Sequence, residues 1–226
     1  MKPSKKQLAP RLLASLLSIA VMAPMTPTYV LAQPASQSNA PLSQQQLSAL
    51  VAPIALYPDP LVSQILMAST YPLEVSEAAN WQKQNSRLTG PALDSALQSQ
   101  NWDPSVKSLV SFPQALQMMG SDLNWTQKLG DAVLAQQSDV MTAIQAMRAK
   151  AKQAGNLSST PQQTVSTSGQ TIIIQPANPQ VVYVPTYNPA VVYGPWPYPA
   201  YPPPPPYYPP GYVAGTALLS FGVGMA

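Results

Sequence analysis

The chain has 226 residues, with 11 Lys or Arg side chains, 8 Asp or Glu side chains, no His and no Cys. Without imidazole or thiolate it lacks the usual catalytic triads, thiol nucleophiles and zinc or haem ligands, and it cannot form disulfides. Charged residues make up 8% of the chain, about a third of the usual share, while proline reaches 28 residues.

The first 32 residues have the three parts of a secretory signal peptide. Four basic side chains precede the apolar run 12–23, and the small-residue sequence Val30-Leu31-Ala32 follows it. Cleavage after Ala32 would leave 7 basic and 8 acidic side chains, a net charge of −1. The basic pI of the precursor is therefore no sign of a nucleic-acid surface, and no nucleic-acid partner is expected.

After a flexible N-terminus, expected over 33–41, residues 42–155 are typical of a helical domain. All charges of the mature chain lie in this part, and apolar residues recur at helical spacing. The longest stripe, within 121–154, is interrupted near its middle by two glutamines. The sequence predicts a mainly α fold: a compact bundle of five to seven short helices, large enough to fold alone.

Short local patterns mark where these helices begin and end. Ser43 and Gln46 fit a capping box, and Pro53 is expected to end the first helix. Asp59 and Asp103 each precede a proline and are predicted to be N-caps, while Gly155 fits the cap after the last helix. Three basic residues near that end are expected to interact favourably with the negative end of the helix dipole. They are Arg148, Lys150 and Lys152.

Beyond the helical domain the sequence changes to β-forming and turn residues. A polar linker is predicted over 156–170 and a short β ribbon over 171–194. The ribbon contains a repeat, because Asn178-Pro179-Gln180-Val181-Val182-Tyr183 is matched by Asn188-Pro189-Ala190-Val191-Val192-Tyr193. Two or three strands joined by Asn-Pro turns are marginal alone, so the ribbon is expected to lie against the helices or a partner.

The last two segments carry no charge. Residues 195–210 contain ten prolines, which predicts a polyproline II arm, disordered apart from that conformation and roughly 50 Å long. Residues 211–226 form an apolar small-residue end of sixteen residues, fewer than the about twenty of a membrane-spanning helix. Membrane contact through this end, or a membrane tether if the chain continues beyond residue 226, is an alternative interpretation.

Six short sequences occur in a fixed order: LVAPIALYPDP (50–60), TYPLEV (70–75), NWDPSVK (101–107), NWTQKLG (124–130), STPQQ (159–163) and PANPQVVYVP (176–185). Together they resemble a family of bacterial envelope proteins known as domain of unknown function 3300. The resemblance spans roughly residues 42–194. It implies an exported protein of Gram-negative bacteria without an established activity, and it transfers no catalytic residues.

The acidic residues are the candidates for acid–base chemistry. Glu74 and Glu77 share a helix face, whereas a glycosidase places two carboxyl groups on opposite sides of the scissile bond. The glutamates also lie in the first turn after Pro72, where acidic side chains interact favourably with the positive end of the helix dipole. Asp59 and Asp103 are explained as N-caps. We therefore expect no catalytic residues, no cofactor and no metal ion.

Aromatic residues of the uncharged region are the candidates for docking a partner. Polyproline II with interleaved aromatics loses little entropy on binding, and paired strands without nearby charges have association-prone edges. The alternative is a spacer that projects the helical domain. The candidate residues are Tyr183, Tyr187, Tyr193, Trp196, Tyr198, Tyr201, Tyr207 and Tyr208.

The signal-peptide pattern thus predicts export, and the family resemblance implies the periplasm or cell envelope of a Gram-negative bacterium. We expect a non-enzymatic binding or scaffolding module, whose uncharged tail associates with an envelope protein or with a second copy. A cell-wall-active enzyme that uses Asp and Glu is the alternative.

Overall fold

The computed structural model describes residues 41–208 and 219–225. The predicted signal peptide, all but the last residue of the predicted flexible N-terminus and the first part of the apolar end lie outside the described residues.

Seven helices precede the first strand in the described part of the chain, so the mainly α prediction is confirmed. The last helix has 31 residues and is not short. The helices are α1 (Gln44–Val51), α2 (Asp59–Ala68), α3 (Pro72–Gln84), α4 (Gly90–Gln98), α5 (Pro104–Leu109), α6 (Pro113–Ser121) and α7 (Leu123–Gln153).

Most of the predicted helix ends are confirmed. The Ser43 side chain accepts from the Gln46 backbone N–H while the Gln46 side chain accepts from the Ser43 N–H, and α1 ends just before Pro53. Gly155 has a φ of 75°, which lets the N–H groups of Gly155 and Asn156 bond back to carbonyls in the last turn of α7. The N-cap prediction for Asp59 is wrong, because Pro58 precedes α2 and Asp59 already lies within the helix.

Helix α7 is broken at Gln136, where φ is −151° and ψ is 52°. The Gln136 Oε1 accepts from the Leu42 N–H at 2.6 Å, and its Nε2 donates to the Leu42 carbonyl at 2.9 Å. The predicted interruption of the apolar face is therefore a real break. It ties the middle of α7 to the segment that leads into α1.

In the described residues, the strands form two separate antiparallel pairs. Strand β1 (Gln163–Ser168) pairs with β2 (Thr171–Pro176), and β3 (Val181–Tyr187) pairs with β4 (Leu219–Met225). The predicted polar linker 156–170 is thus wrong from Gln163 onward, since that half is a strand. Part of the predicted apolar end supplies β4.

The predicted ribbon over 171–194 is also wrong in its second repeat. The first Asn-Pro repeat leads into β3, but the second forms a short helix, α8 (Pro189–Val192). The reason is local: the Asn188 side chain accepts from the Ala190 N–H and Pro189 occupies the first helical position, which is N-cap chemistry. The same Asn-Pro turn can therefore start a strand or a helix.

Helices and strands share one hydrophobic core. Ile174 of β2, Val184 of β3 and Val192 of α8 are buried in the same cluster as Leu47 and Ile144 of the helices. The helical part was expected to fold alone. In the structure, however, its core is completed by side chains that follow Gly155.

Candidate binding surfaces

Two of the tyrosines predicted to dock a partner are buried in the chain's own core. The hydroxyls of Tyr187 and Tyr193 both donate to the Ala52 carbonyl, at 2.9 and 2.5 Å. The Tyr187 hydroxyl also accepts from the Leu56 N–H at 3.3 Å. The docking prediction is therefore wrong for these two residues, because they fix the loop between α1 and α2.

Burial keeps these phenols in their neutral, hydrogen-donating form. It raises the pKa of Tyr57, Tyr187 and Tyr193 well above the ordinary value for tyrosine. The Tyr187 ring lies edge-on to both Tyr57 and Tyr193, with centroids 6.2 Å apart in each pair. The three rings thus form one packed aromatic cluster beneath the α1–α2 loop.

The start of the predicted polyproline arm turns back on itself. The Trp196 Nε1–H donates to the carbonyls of both Tyr198 and Tyr201, at 3.0 Å each, and the Tyr201 N–H donates to the Tyr198 carbonyl at 2.9 Å. The Trp196 ring also lies 6.3 Å from Tyr193 and 5.9 Å from Tyr198. The prediction of an extended arm is therefore wrong for 195–201. Trp196 is half-buried at the centre of a turn.

The remainder of the arm lies over the helices. Pro206 and Tyr207 face Pro53 and Met118, and a cavity of about 290 Å³ remains between the arm and α6–α7. Tyr207 is half-buried against the core, and this burial raises its pKa. As 195–208 lie between β3 and β4, this segment is a long connection packed on the bundle. It does not project the helical domain as a spacer would.

The other candidate tyrosines are closer to the surface. Tyr201 and Tyr208 are 38% and 44% exposed, whereas Tyr183 and Tyr198 are half-buried. Of the predicted docking residues, Tyr201 and Tyr208 are thus the most accessible to a partner.

The paired glutamates act as acceptors within the fold. The Asp103 N–H donates to Glu74 Oε2 at 2.5 Å, and Trp102 Nε1–H donates to Glu77 Oε2 at 3.2 Å. Asp103 caps α5 as predicted: its Oδ1 accepts from the hydroxyl and the N–H of Ser105, which lower the pKa of the Asp103 carboxyl. These carboxylates hold the start of α5 against α3.

Arg148 is a core residue with several polar contacts that no sequence pattern predicted. The sequence predicts that Arg148 interacts with the negative end of the helix dipole, but its side chain is only 3% exposed. Its guanidinium donates to the carbonyls of Ala55, Tyr57 and Ile172 at 2.8, 3.1 and 2.9 Å, and it pairs with Asp59 at 2.6 Å. It thereby joins α7 to the α1–α2 loop and to β2.

An open groove of about 770 Å³ lies between α2, α4, α5 and the β2–β3 connection. Asp94 of α4 and Lys107 of α5 are its charged lining residues. Gln64 lines it too, and the Gln64 Oε1 is buried without a hydrogen-bond partner. The rest of the lining is Pro60, Leu61, Leu97, Ser108, Ser111, Phe112, Gln175, Pro176, Pro179 and Val182.

No sequence pattern predicted this groove, because its lining comes from segments spread between residues 60 and 182. Within 41–208 and 219–225, no group of three or more acidic residues is placed to hold a metal ion. In the same part of the chain, no helix combines the length and apolarity needed to span a membrane.

The fold is that of a helical module closed by a β ribbon, and comparison with known proteins places it in a family. The chain belongs to the family described as "Protein of unknown function (DUF3300)", whose model matches residues 43–226. The resemblance inferred from the sequence motifs is confirmed.

One relative is the "Uncharacterized protein YacH" of Escherichia coli (strain K12). It is 39% identical over 219 aligned residues, which cover 83% of this chain and 34% of the relative. The chain therefore spans about a third of the length of that protein. No solved structure matches the chain.

Proposed function

We propose that the chain is an exported, non-enzymatic binding or scaffolding module of the cell envelope of a Gram-negative bacterium. The observation that carries this proposal is the open groove beside α4 and α5. It combines a mostly apolar lining with a few polar groups, as ligand-binding sites do, and its volume lies within their usual range. The signal-peptide pattern of residues 1–32 supports export.

Binding is favoured over catalysis by the charges of the groove. Among the described residues that line it, Asp94 is the single carboxylate, whereas Asp/Glu glycoside hydrolysis uses two. Glu74 and Glu77 are engaged by Asp103 and Trp102. The groove therefore supplies recognition, and we propose no reaction for it.

The groove is also a better partner site than the uncharged tail. Self-association was expected through unprotected strand edges, but one edge of β3 is paired with β4. The arm lies on the helices and contributes two exposed tyrosines. An envelope component bound in the groove is the partner that these observations favour.

Export and groove-dependent capture can be tested in one preparation. The tagged chain is expressed in a Gram-negative host, the mature protein is sequenced from its N-terminus, and its partners are cross-linked and identified. We expect sequencing to begin at Gln33 and one envelope component to be captured.

A variant that fills the groove tests the site. Ser111 is half-buried in the groove and Ser86 is exposed after α3, so Ser111→Trp is paired with Ser86→Trp as its matched control. We expect Ser111→Trp to lose the captured component and Ser86→Trp to retain it. Equal capture by both variants, or a cytoplasmic product that begins at Met1, would contradict the proposal.

A further inference from the structure

We propose that the groove binds a short peptide with free ends, whose ammonium group pairs with Asp94 and whose carboxylate pairs with Lys107. This inference rests on the proposed function and specifies the chemistry of its ligand.

The charges of the groove carry the argument. Asp94 is exposed on α4 and Lys107 is half-buried on α5, and neither belongs to an ion pair in the described part of the chain. Two unpaired opposite charges that line one cavity suit a ligand that carries both charges. An anion would be repelled by Asp94 and a cation by Lys107, so the pair discriminates in favour of a zwitterion.

The uncharged lining matches a peptide between those two ends. Leu61, Leu97 and Phe112 offer apolar surface to small side chains. The buried Gln64 Oε1 has no donor, and a buried acceptor is costly until it receives one. A peptide N–H would supply that donor. A free amino acid lacks this amide, and a hydrocarbon lacks both charges.

Trialanine is the probe that tests this chemistry. The ¹⁵N-labelled mature chain is titrated with free, N-acetylated, C-amidated and doubly capped trialanine, and binding is followed by NMR. We expect free trialanine to shift signals of the groove residues. Each cap should weaken binding by about twofold to fivefold, the upper part of the range for a partly exposed charge pair.

Substitutions assign each end of the peptide. Asp94→Asn is expected to bind free and N-acetylated trialanine equally, and Lys107→Gln to bind free and C-amidated trialanine equally. Asp131→Asn and Lys83→Gln change exposed charges outside the groove and should retain the wild-type preference. Gln64→Leu should bind all four peptides more weakly without changing their order.

Three results would overturn the inference. They are equal binding of free and doubly capped peptide, shifts confined to residues outside the groove, and no shift at about 10 mM peptide, a concentration far above the dissociation constant of a useful site. If one of these occurs while Ser111→Trp still abolishes capture of an envelope component, the peptide is the wrong ligand and the binding function stands. If capture is also independent of the groove, both proposals fail.

Discussion

Replacing Arg148 tests whether one buried side chain joins the helical and β parts. Arg148→Met keeps the apolar stem and a good helix former but removes the guanidinium. Three carbonyls, those of Ala55, Tyr57 and Ile172, then lose a charged donor. Asp59 loses its ion-pair partner.

The expected loss of stability is large. A hydrogen bond to a charged group contributes about 1.5–3 kcal/mol, and the Arg148 guanidinium makes three of them to backbone carbonyls. Since the carbonyls can be partly rehydrated, we expect Arg148→Met to lower the free energy of unfolding by about 4 kcal/mol. The total for a domain is about 5–15 kcal/mol, so the variant should be marginal.

Urea unfolding followed by far-UV circular dichroism measures this loss. Arg87→Met, at an exposed position after α3, is the matched control and should change stability by less than about 0.5 kcal/mol. Asp59→Asn should cost less than Arg148→Met, because the buried guanidinium loses its counter-charge but keeps its three carbonyl acceptors. If Arg148→Met falls within about 1 kcal/mol of Arg87→Met, the guanidinium does not join the two parts.

Three further predictions concern the tyrosine cluster, helix packing and the shared core. The raised pKa of Tyr193 means that its contribution to stability is complete below the unfolded value of about 10 and is lost as pH rises above it. Between about pH 9 and 11, urea unfolding should show a smaller loss of stability for Tyr193→Phe than for wild type or the exposed control Tyr201→Phe. Equal losses of stability would refute this. Gly130→Ala should lower the free energy of unfolding by about 2–3 kcal/mol in the same assay, because its Cβ would lie 2.1 Å from the Ser69 carbonyl oxygen. Unchanged stability would refute so close an approach of α7 to the backbone of Ser69. A chain that ends at Gly155 should keep helical circular dichroism but lose cooperative thermal unfolding, because the core residues of β2 and β3 are removed; a sharp transition would show that the helical part folds alone.

The features that sequence predicted well depend on residues close together in the chain. The capping box of α1 involves residues three positions apart, and the turn after α7 needs only a glycine that adopts positive φ. Prolines at the starts of helices act through their own φ angle and missing N–H. These effects do not depend on the tertiary fold.

The features that sequence could not predict depend on distant segments. Arg148 lies four residues after Ile144, on the apolar face of α7, unlike Lys150 and Lys152. Its partners, however, come from distant segments, because Ile172 and the α1–α2 loop supply the carbonyls that it binds. The groove has the same origin, because Asp94 and Lys107 come together through the packing of α2, α4, α5 and the β2–β3 connection.

Gly130 shows how a sequence motif acquires a physical explanation. It ends the NWTQKLG string, and its missing side chain lets α7 lie directly on the turn between α2 and α3. Any larger residue would meet backbone atoms of Ser69 and Thr70, which cannot move aside as a flexible side chain would. The family motif therefore contains a packing requirement that the string alone did not reveal.

The largest error of interpretation concerns the uncharged aromatic region. Absence of charge favours a docking strip, but a segment that packs on its own core also needs no charge, since burying a charge is costly. Tyr187 and Tyr193 illustrate this, because each places its ring in the core and its hydroxyl on the Ala52 carbonyl. Among the described residues, the faces of Tyr187 and Tyr193 that composition marked for a partner are therefore covered by the chain's own core.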